Sequence, residues 1–331
     1  MIRTAASALA ALALTLPLAA QEAPAPNAAS PGEIVAAATP QDWTRIAPDD
    51  LLVMVLAPAA DGTARDVVIQ LMPPPFSQGW VDNIRTLARA GWYDGISINR
   101  VQDNYVVQWG DPNHDNPEAD GPAKPLPEGL RVMEEGDYVH VIRAAGPDED
   151  NIILWHPKPD LVDSYAGSAT FDKGWPIGIE IADRTKVLRR WPVHCYGMVG
   201  VGRGYSPDAG SGAELYTVIG HAPRHLDRNI ALVGRVVEGI EHLSSLPRGK
   251  GALGFYEDPA KRIPIRSIRI ASDLPASEQP RFEYLSTESE AFGRYAEARA
   301  NRRDPFFIAP AGGADICNIP VPVRRVIPAG E

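Results

Sequence analysis

The chain has 331 residues, 22% of them charged, a formal net charge of −10 and a sequence pI of about 5.3. An acidic balance in which Arg189-Arg190 and Arg302-Arg303 are isolated basic pairs argues against nucleic acid or an anionic membrane surface as a partner. The length allows one large or two small domains. Cys195 and Cys317 permit one disulfide that would tie the C-terminal tail to the body, with two free buried thiols as the other reading.

Met1-Ile2-Arg3 gives a positive start to an Ala- and Leu-rich run that ends in Leu18-Ala19-Ala20. This is the layout of a secretory signal peptide over residues 1–20, too short and too rich in Ala for a comfortable membrane span. Export is therefore expected, to the periplasm if the source is a Gram-negative bacterium. No later stretch reads as a transmembrane helix. Residues 21–41, rich in Ala and Pro without periodicity, predict a disordered spacer.

The folded part begins with two apolar runs, Leu51 to Ala57 and Asp66 to Met72, joined through Asp61-Gly62 as a strand hairpin. Trp80, Val81, Ile84, Leu87 and Ala88 then form an amphipathic stripe that predicts a helix over 77–91, ending at Gly91. Two further strands follow, Ile96 to Val101 and Tyr105 to Trp109, around the polar turn Gln102-Asp103-Asn104. Arg100 and Gln108 are polar side chains within these otherwise apolar strands, and a charge in such surroundings needs a partner or a ligand.

Beyond a Pro/Asp/Gly-rich loop at 112–136, strands are expected at Tyr138 to Arg143, Ile152 to Trp155, Ile177 to Ile181, Gly197 to Val201, Leu215 to Ile219, Ile230 to Val237 and Ile263 to Ala271. A helix is expected over Val237 to Leu246. Many short strands with two helices predict a mainly β fold, a closed antiparallel barrel covered by helices, with a β-sandwich as the alternative. Thr287 and Glu290 predict a capping-box start to a C-terminal helix ending at Ala300, followed by an extended Pro-rich tail.

The blocks Ile98-Asn99-Arg100, Gln108-Trp109-Gly110-Asp111-Pro112, Ala213-Glu214-Leu215-Tyr216-Thr217 and Val233-Gly234-Arg235, in that order, resemble the cyclophilin family of peptidyl-prolyl cis-trans isomerases. Ile98-Asn99-Arg100 stands at the family's Phe-His-Arg motif, and Gln108-Trp109-Gly110-Asp111-Pro112 at Gln-Gly-Gly-Asp-Pro. Met198 to Val201 resembles the Met-Ala-Asn-Ala strand, and Ala213-Glu214-Leu215-Tyr216-Thr217 occupies the place of Ser-Gln-Phe-Phe-Ile. His225-Leu226-Asp227-Arg228 and Val233-Gly234-Arg235-Val236-Val237-Glu238-Gly239 resemble two later blocks. The resemblance covers about 48–115 and 176–272. It implies an eight-stranded barrel with two capping helices over 42–272, with 118–175 an insertion and 273–331 a helical and extended addition.

The resemblance also implies a site. Arg100, Gln108 and Glu214 take the catalytic positions, and Tyr105, Val106, Gly200, Tyr216, His225 and Leu226 the substrate-binding ones. Twisting an X-Pro bond requires a hydrogen-bond donor aimed at the prolyl amide and an apolar pocket for the ring, with no cofactor and no metal. Arginine suits the first task, being always charged with five fixed donors.

The expected partners are proline-containing polypeptides, and the alternatives are a peptide-binding or chaperone module of low activity, or a structural envelope protein. Glu214 stands where the family has glutamine, and Ile230 where a histidine is frequent. Other constellations are weaker. Pro223 between His221 and His225 opposes a helical zinc pair, the acidic loop of Asp111, His114, Asp115 and Asp120 reads as solvated, and Ser211 sits in a flexible Gly-Ser-Gly turn.

Overall fold

In chain order the elements are α1 (Pro31–Ala36), β1 (Trp43–Arg45), β2 (Leu51–Leu56), β3 (Arg65–Leu71), α2 (Gln78–Arg89), β4 (Ser97–Val101), β5 (Val106–Gly110) and β6 (His140–Arg143). They continue with β7 (Ser168–Asp172), β8 (Trp175–Ala182), β9 (Val187–Pro192), β10 (Met198–Val201), β11 (Leu215–Val218) and β12 (Leu232–Glu238). Then come α3 (Glu241–Ser244), β13 (Ile263–Ile270), β14 (Phe282–Leu285), α4 (Glu290–Ala300) and β15 (Val323–Arg325). The computed structural model describes residues 28–114, 119, 121–143, 162–182 and 187–326.

Eight strands close an antiparallel barrel in the order β10-β11-β5-β4-β13-β2-β3-β12. Its lining is apolar because successive strand residues face opposite sides: Leu52, Met54, Ile69, Ile98, Trp109, Leu215 and Ile268 are all buried in one core. The first hairpin turns as expected. Gly62 takes φ +86°, a left-handed conformation that favours glycine, and Thr63 N–H donates to Asp61 Oδ1 at 2.9 Å.

Helix α2 buries Trp80, Val81, Ile84, Leu87 and Ala88. It ends at Gly91 (φ +62°), with Trp92 N–H donating to Leu87 O at 2.9 Å and Gly91 N–H to Ala88 O at 3.1 Å, the pattern of a glycine-terminated helix. Its buried face, with Tyr93 just beyond its end, also holds a distant loop. Trp80 Nε1 donates to Ala209 O and Gly210 O, each at 3.0 Å, Asn83 Nδ2 to Ser211 O at 3.0 Å, and Tyr93 Oη to Gly212 O at 2.7 Å.

Four strands, in the order β6-β9-β8-β7, form a second sheet. It begins inside the expected insertion but runs on to Pro192, so the barrel resumes at β10 rather than at 176. The alternation in Ile177 to Ile181 is present, yet these residues pair with β7 and β9; periodicity shows that a strand exists, not which strand it joins. Arg235 of β12 fastens the two sheets. Its Nη1 donates to Gly174 O at 2.6 Å, its Nε donates to Gln70 Oε1 at 2.9 Å, and its guanidinium lies 4.6 Å from the Trp175 ring centre. Burial pushes its pKa down to about 10.

A third sheet, β1-β14-β15, joins the two ends of the chain, and Cys195 is disulfide-bonded to Cys317 across 122 residues. Several local expectations are corrected. Residues expected as spacer carry a helix: Ser30 and Glu33 form a reciprocal capping box with Pro31 at the first helical position, which starts α1. The C-terminal helix is capped by Ser289, whose Oγ accepts from Phe292 N–H at 3.0 Å, while Thr287 Oγ1 accepts from Gly174 N–H at 3.1 Å.

The helix expected over 237–246 is a single turn, because β12 continues to Glu238 and Gly239 (φ +83°) separates the two. Residues 135–138 form a 3₁₀ turn before β6. The strand expected at Ile152 to Trp155, the signal segment, Asp115 and Asp120 lie outside the described residues. Among those described, no helix is long and apolar enough to cross a membrane.

Candidate active site

Arg100 reaches the outer face of the barrel through an irregularity in β4. Ile98 pairs with Trp109, but Arg100 pairs with Gln108, so Asn99 is an extra residue in the ladder. Two residues apart, Ile98 and Arg100 would share a face in a regular strand. The bulge reverses this: Ile98 is fully buried and Arg100 turns outward. Asn99 is fixed there, with Ser97 Oγ donating to its Oδ1 at 2.6 Å, its own Nδ2 donating to Gly110 O at 3.2 Å, and its carbonyl accepting from Tyr256 N–H at 2.9 Å.

Register then aligns a row of residues across four strands, Arg100↔Gln108, Gln108↔Tyr216 and Tyr216↔Gly200. Arg100 Nη1 donates to Gln108 Oε1 at 3.0 Å, and Gln108 Nε2 donates to Glu214 Oε2 at 3.0 Å. The amide therefore stands between guanidinium and carboxylate, oriented by both. Glu214 fits because glycines flank it: a Cβ on Gly110 would lie 2.7 Å from its Cγ, and one on Gly202 2.9 Å from its Cβ.

The other edge of Arg100 is held by the turn after β4 and the segment before β13. Nε donates to Leu253 O at 2.7 Å, Nη2 donates to Gln102 Oε1, and the guanidinium carbon lies 5.7 Å from the centres of both the Tyr105 and the Phe255 rings. Among the described residues these bonds engage three of the five N–H groups of the guanidinium and leave two for a ligand. Burial lowers its pKa, opposed by Tyr105 and Glu214; so strong a base stays charged at neutral pH.

Arg100 and Gln108 open onto a groove of about 660 Å³. Tyr105, Val106, Tyr216, Leu226 and Ile230 form an apolar patch beside the guanidinium, and the loop carrying Arg203, Tyr205 and Asp208 makes the far wall. That loop is the one fastened by α2. Gly212 (φ +96°) lets it approach, since a Cβ there would lie 3.0 Å from Ile84 Cγ1.

Of the residues expected from sequence, Arg100, Gln108, Glu214, Tyr105, Val106, Tyr216 and Leu226 line this groove together. Gly200 lies beneath the Tyr216 ring instead, and His225 is exposed, stacked on Tyr105 with ring centres 6.3 Å apart. Sequence reasoning missed Gln102, Leu253 and Phe255 around the arginine, and His194 behind Tyr216. Phe255 is 155 positions along the sequence from Arg100 in an irregular segment, and no local pattern announces the bridge it makes to it.

The family described as cyclophilin type peptidyl-prolyl cis-trans isomerase/CLD matches residues 66–270, more than half of the chain. The chain belongs to that family. Among solved structures it is similar to the cyclophilin AquaCyp293 of Hirschia baltica, at 22% identity and a TM-score of 0.62, over 86% of this chain and 94% of that one. It also matches a Cryptosporidium parvum cyclophilin type peptidyl-prolyl cis-trans isomerase crystallised in the presence of the dipeptide Ala-Pro, at 12% identity and a TM-score of 0.37, over 66% of this chain and 98% of that one. No curated protein matches. The barrel, the order of its blocks and the cyclophilin resemblance read from the sequence therefore hold.

Proposed function

We propose that the groove isomerises X-Pro bonds in polypeptides encountered after export, with Arg100 as the residue that stabilises the twisted amide. The observation that carries this reading is the position of Arg100: a fixed, charged guanidinium, two of whose N–H groups have no partner among the described residues, beside the apolar side chains of the groove.

Rotation about the prolyl amide faces a barrier of about 18–20 kcal/mol, set by resonance. No bond is made or broken, so the site lowers the barrier only by binding the twisted state better than either planar one. A substrate proline seated among Tyr105, Val106, Tyr216, Leu226 and Ile230 places its imide nitrogen, and the carbonyl of the residue before it, on the side of the arginine. A donor to the imide nitrogen weakens conjugation; a donor to the rotating carbonyl oxygen tracks its new position. Gln108 contributes by fixing the guanidinium plane, and Glu214 by fixing Gln108.

The competing reading is a peptide-binding module that turns over slowly. It is favoured by the same hydrogen bonds, since an arginine tied to Gln102, Leu253 O and Gln108 is restrained in following a moving oxygen. A protease-coupled isomerisation assay on an Ala-Pro peptide separates the two. The isomerase reading expects catalysis by the wild type and a loss of about 100-fold or more in Arg100→Ala, the scale for removing a donor to a developing charge. A wild type that binds the peptide without accelerating exchange contradicts it.

A further inference from the structure

Behind the groove runs a second polar chain that the mechanism above does not use. Tyr216 Oη is 2.9 Å from His194 Nε2, and His194 Nδ1 is 2.9 Å from Asp227 Oδ1. The same Oδ1 accepts from His194 N–H at 3.0 Å, and Asp227 Oδ2 accepts from Arg224 Nε at 2.7 Å. Arg224 forks onto Asp163 at 2.8 and 2.9 Å. The C-terminal tail closes the cluster, with Cys317 Sγ 3.8 Å from His194 O and Asp315 3.7 Å from Arg224.

The donors and acceptors fit in one arrangement. Burial keeps the Tyr216 phenol protonated, so its hydroxyl is a donor. Burial also lowers the pKa of His194, and Asp227, whose charge is already met by Arg224, only partly offsets this. The contact between His194 and Asp227 is therefore a hydrogen bond from a neutral ring rather than an ion pair. Nδ1–H donates to Asp227 and Nε2 accepts from Tyr216. The two ring planes are nearly parallel, 10° apart.

Gly200 makes this reach possible. A Cβ at that position would lie 2.3 Å from the Tyr216 hydroxyl oxygen, so any side chain there would displace the ring from its anchor. Tyr216 thus lies across Gly200 with its apolar body in the proline pocket and its polar tip bonded behind it.

We propose that His194 is a positioning residue of the proline pocket: by accepting the Tyr216 hydroxyl across Gly200 it sets where the pocket wall stands, and so how tightly the pocket holds proline. This rests on the reading of the groove as a proline site. It assigns His194 no contact with substrate. Its effect is on ground-state fit, so it belongs to KM rather than kcat.

The test is a cycle of His194→Leu, Tyr216→Phe and the double variant, together with His194→Gln, whose side-chain oxygen can replace Nε2 as acceptor. The expected result is that each single variant raises KM about 5-fold with kcat within about 2-fold, that the double is no worse than either single, and that His194→Gln stays near wild type. Multiplying effects in the double, or a silent Tyr216→Phe beside a damaged His194→Leu, overturn the proposal.

If His194→Leu does not fold, the imidazole ¹⁵N spectrum decides. The proposal requires the Nε2 resonance of His194 to shift in Tyr216→Phe, and an unmoved resonance contradicts it. If the wild type shows no turnover, the isomerase reading fails, and the same cycle is read in the Kd for an Ala-Pro peptide. A wild type that neither turns over nor binds contradicts both.

Discussion

Two polar chains cross the same barrel wall, and their surroundings give them opposite chemistry. The outer one, Arg100–Gln108–Glu214, lies along an open groove. As so strong a base the arginine stays charged although burial lowers its pKa, and it lines the space a ligand would fill. The inner one, Tyr216–His194–Asp227–Arg224–Asp163, has its members between Tyr216 and Asp163 almost wholly buried, with side-chain exposures of 1–2% for His194, Asp227, Arg224 and Asp163. There each charge is met by an opposite one, and the remaining ring stays neutral. Similar bonds at similar distances thus give a charge presented to an open groove in one chain and a rigid support in the other. Exposure decides which.

Removing a buried charge from the inner chain is expected to cost stability, and changing the outer chain to alter the rate. The largest stability effect is expected for Asp227→Ala, which removes the acceptor of both His194 and Arg224. Breaking a buried pair costs about 3–5 kcal/mol, and because Arg224 keeps Asp163 the low end applies. Urea unfolding measures it, and a change below about 1 kcal/mol would mean that the chain adds little to stability.

A smaller effect comes from acid. The folded pKa of His194 lies below its ordinary value of 6.5, so below that pH the unfolded chain takes up a proton that the native one resists. Stability is then full above about pH 6.5 and falls as pH drops beneath it, by at most about 1.4 kcal/mol per unit for this ring. His140 shares the direction of shift and supplies a background slope. His194→Gln should flatten the wild-type dependence measured between pH 7 and 5. An equal slope in both proteins contradicts a neutral buried His194.

The smallest expected effect is in the outer chain. Glu214→Gln removes a negative charge that partly offsets Arg100, while the side chain keeps an oxygen for Gln108 Nε2. A rise in kcat/KM of about 2- to 5-fold is expected, under about 1 kcal/mol in barrier. A fall would mean that the negative charge of Glu214, and not only its bond to Gln108, serves the site.

The outer chain was legible in the sequence and the inner one was not, for physical reasons. Arg100 and Gln108 are polar residues in apolar strands at a spacing that hairpin geometry translates directly into contact. Even the bulge left a trace, since Ile98 and Arg100 cannot both suit one face of a regular strand. His194, in Trp191-Pro192-Val193-His194-Cys195, carries no such mark. Its burial depends on a tail more than 120 residues away and on a glycine that clears room for a tyrosine. Residues 28–41 show the opposite failure: Ser30, Pro31 and Glu33 are a helix start written in the sequence, outweighed by the Ala and Pro around them.

The account stands most directly on whether Arg100 acts on the twisted state and not merely on binding. Exchange spectroscopy on an Ala-Pro peptide at equilibrium, with its Kd measured alongside, separates the two. The expected result is fast cis–trans exchange with the wild type and a rate lower by about 100-fold or more with Arg100→Ala at saturating protein, while Kd changes far less. Equal exchange rates at saturation in the two proteins would contradict the assignment of Arg100.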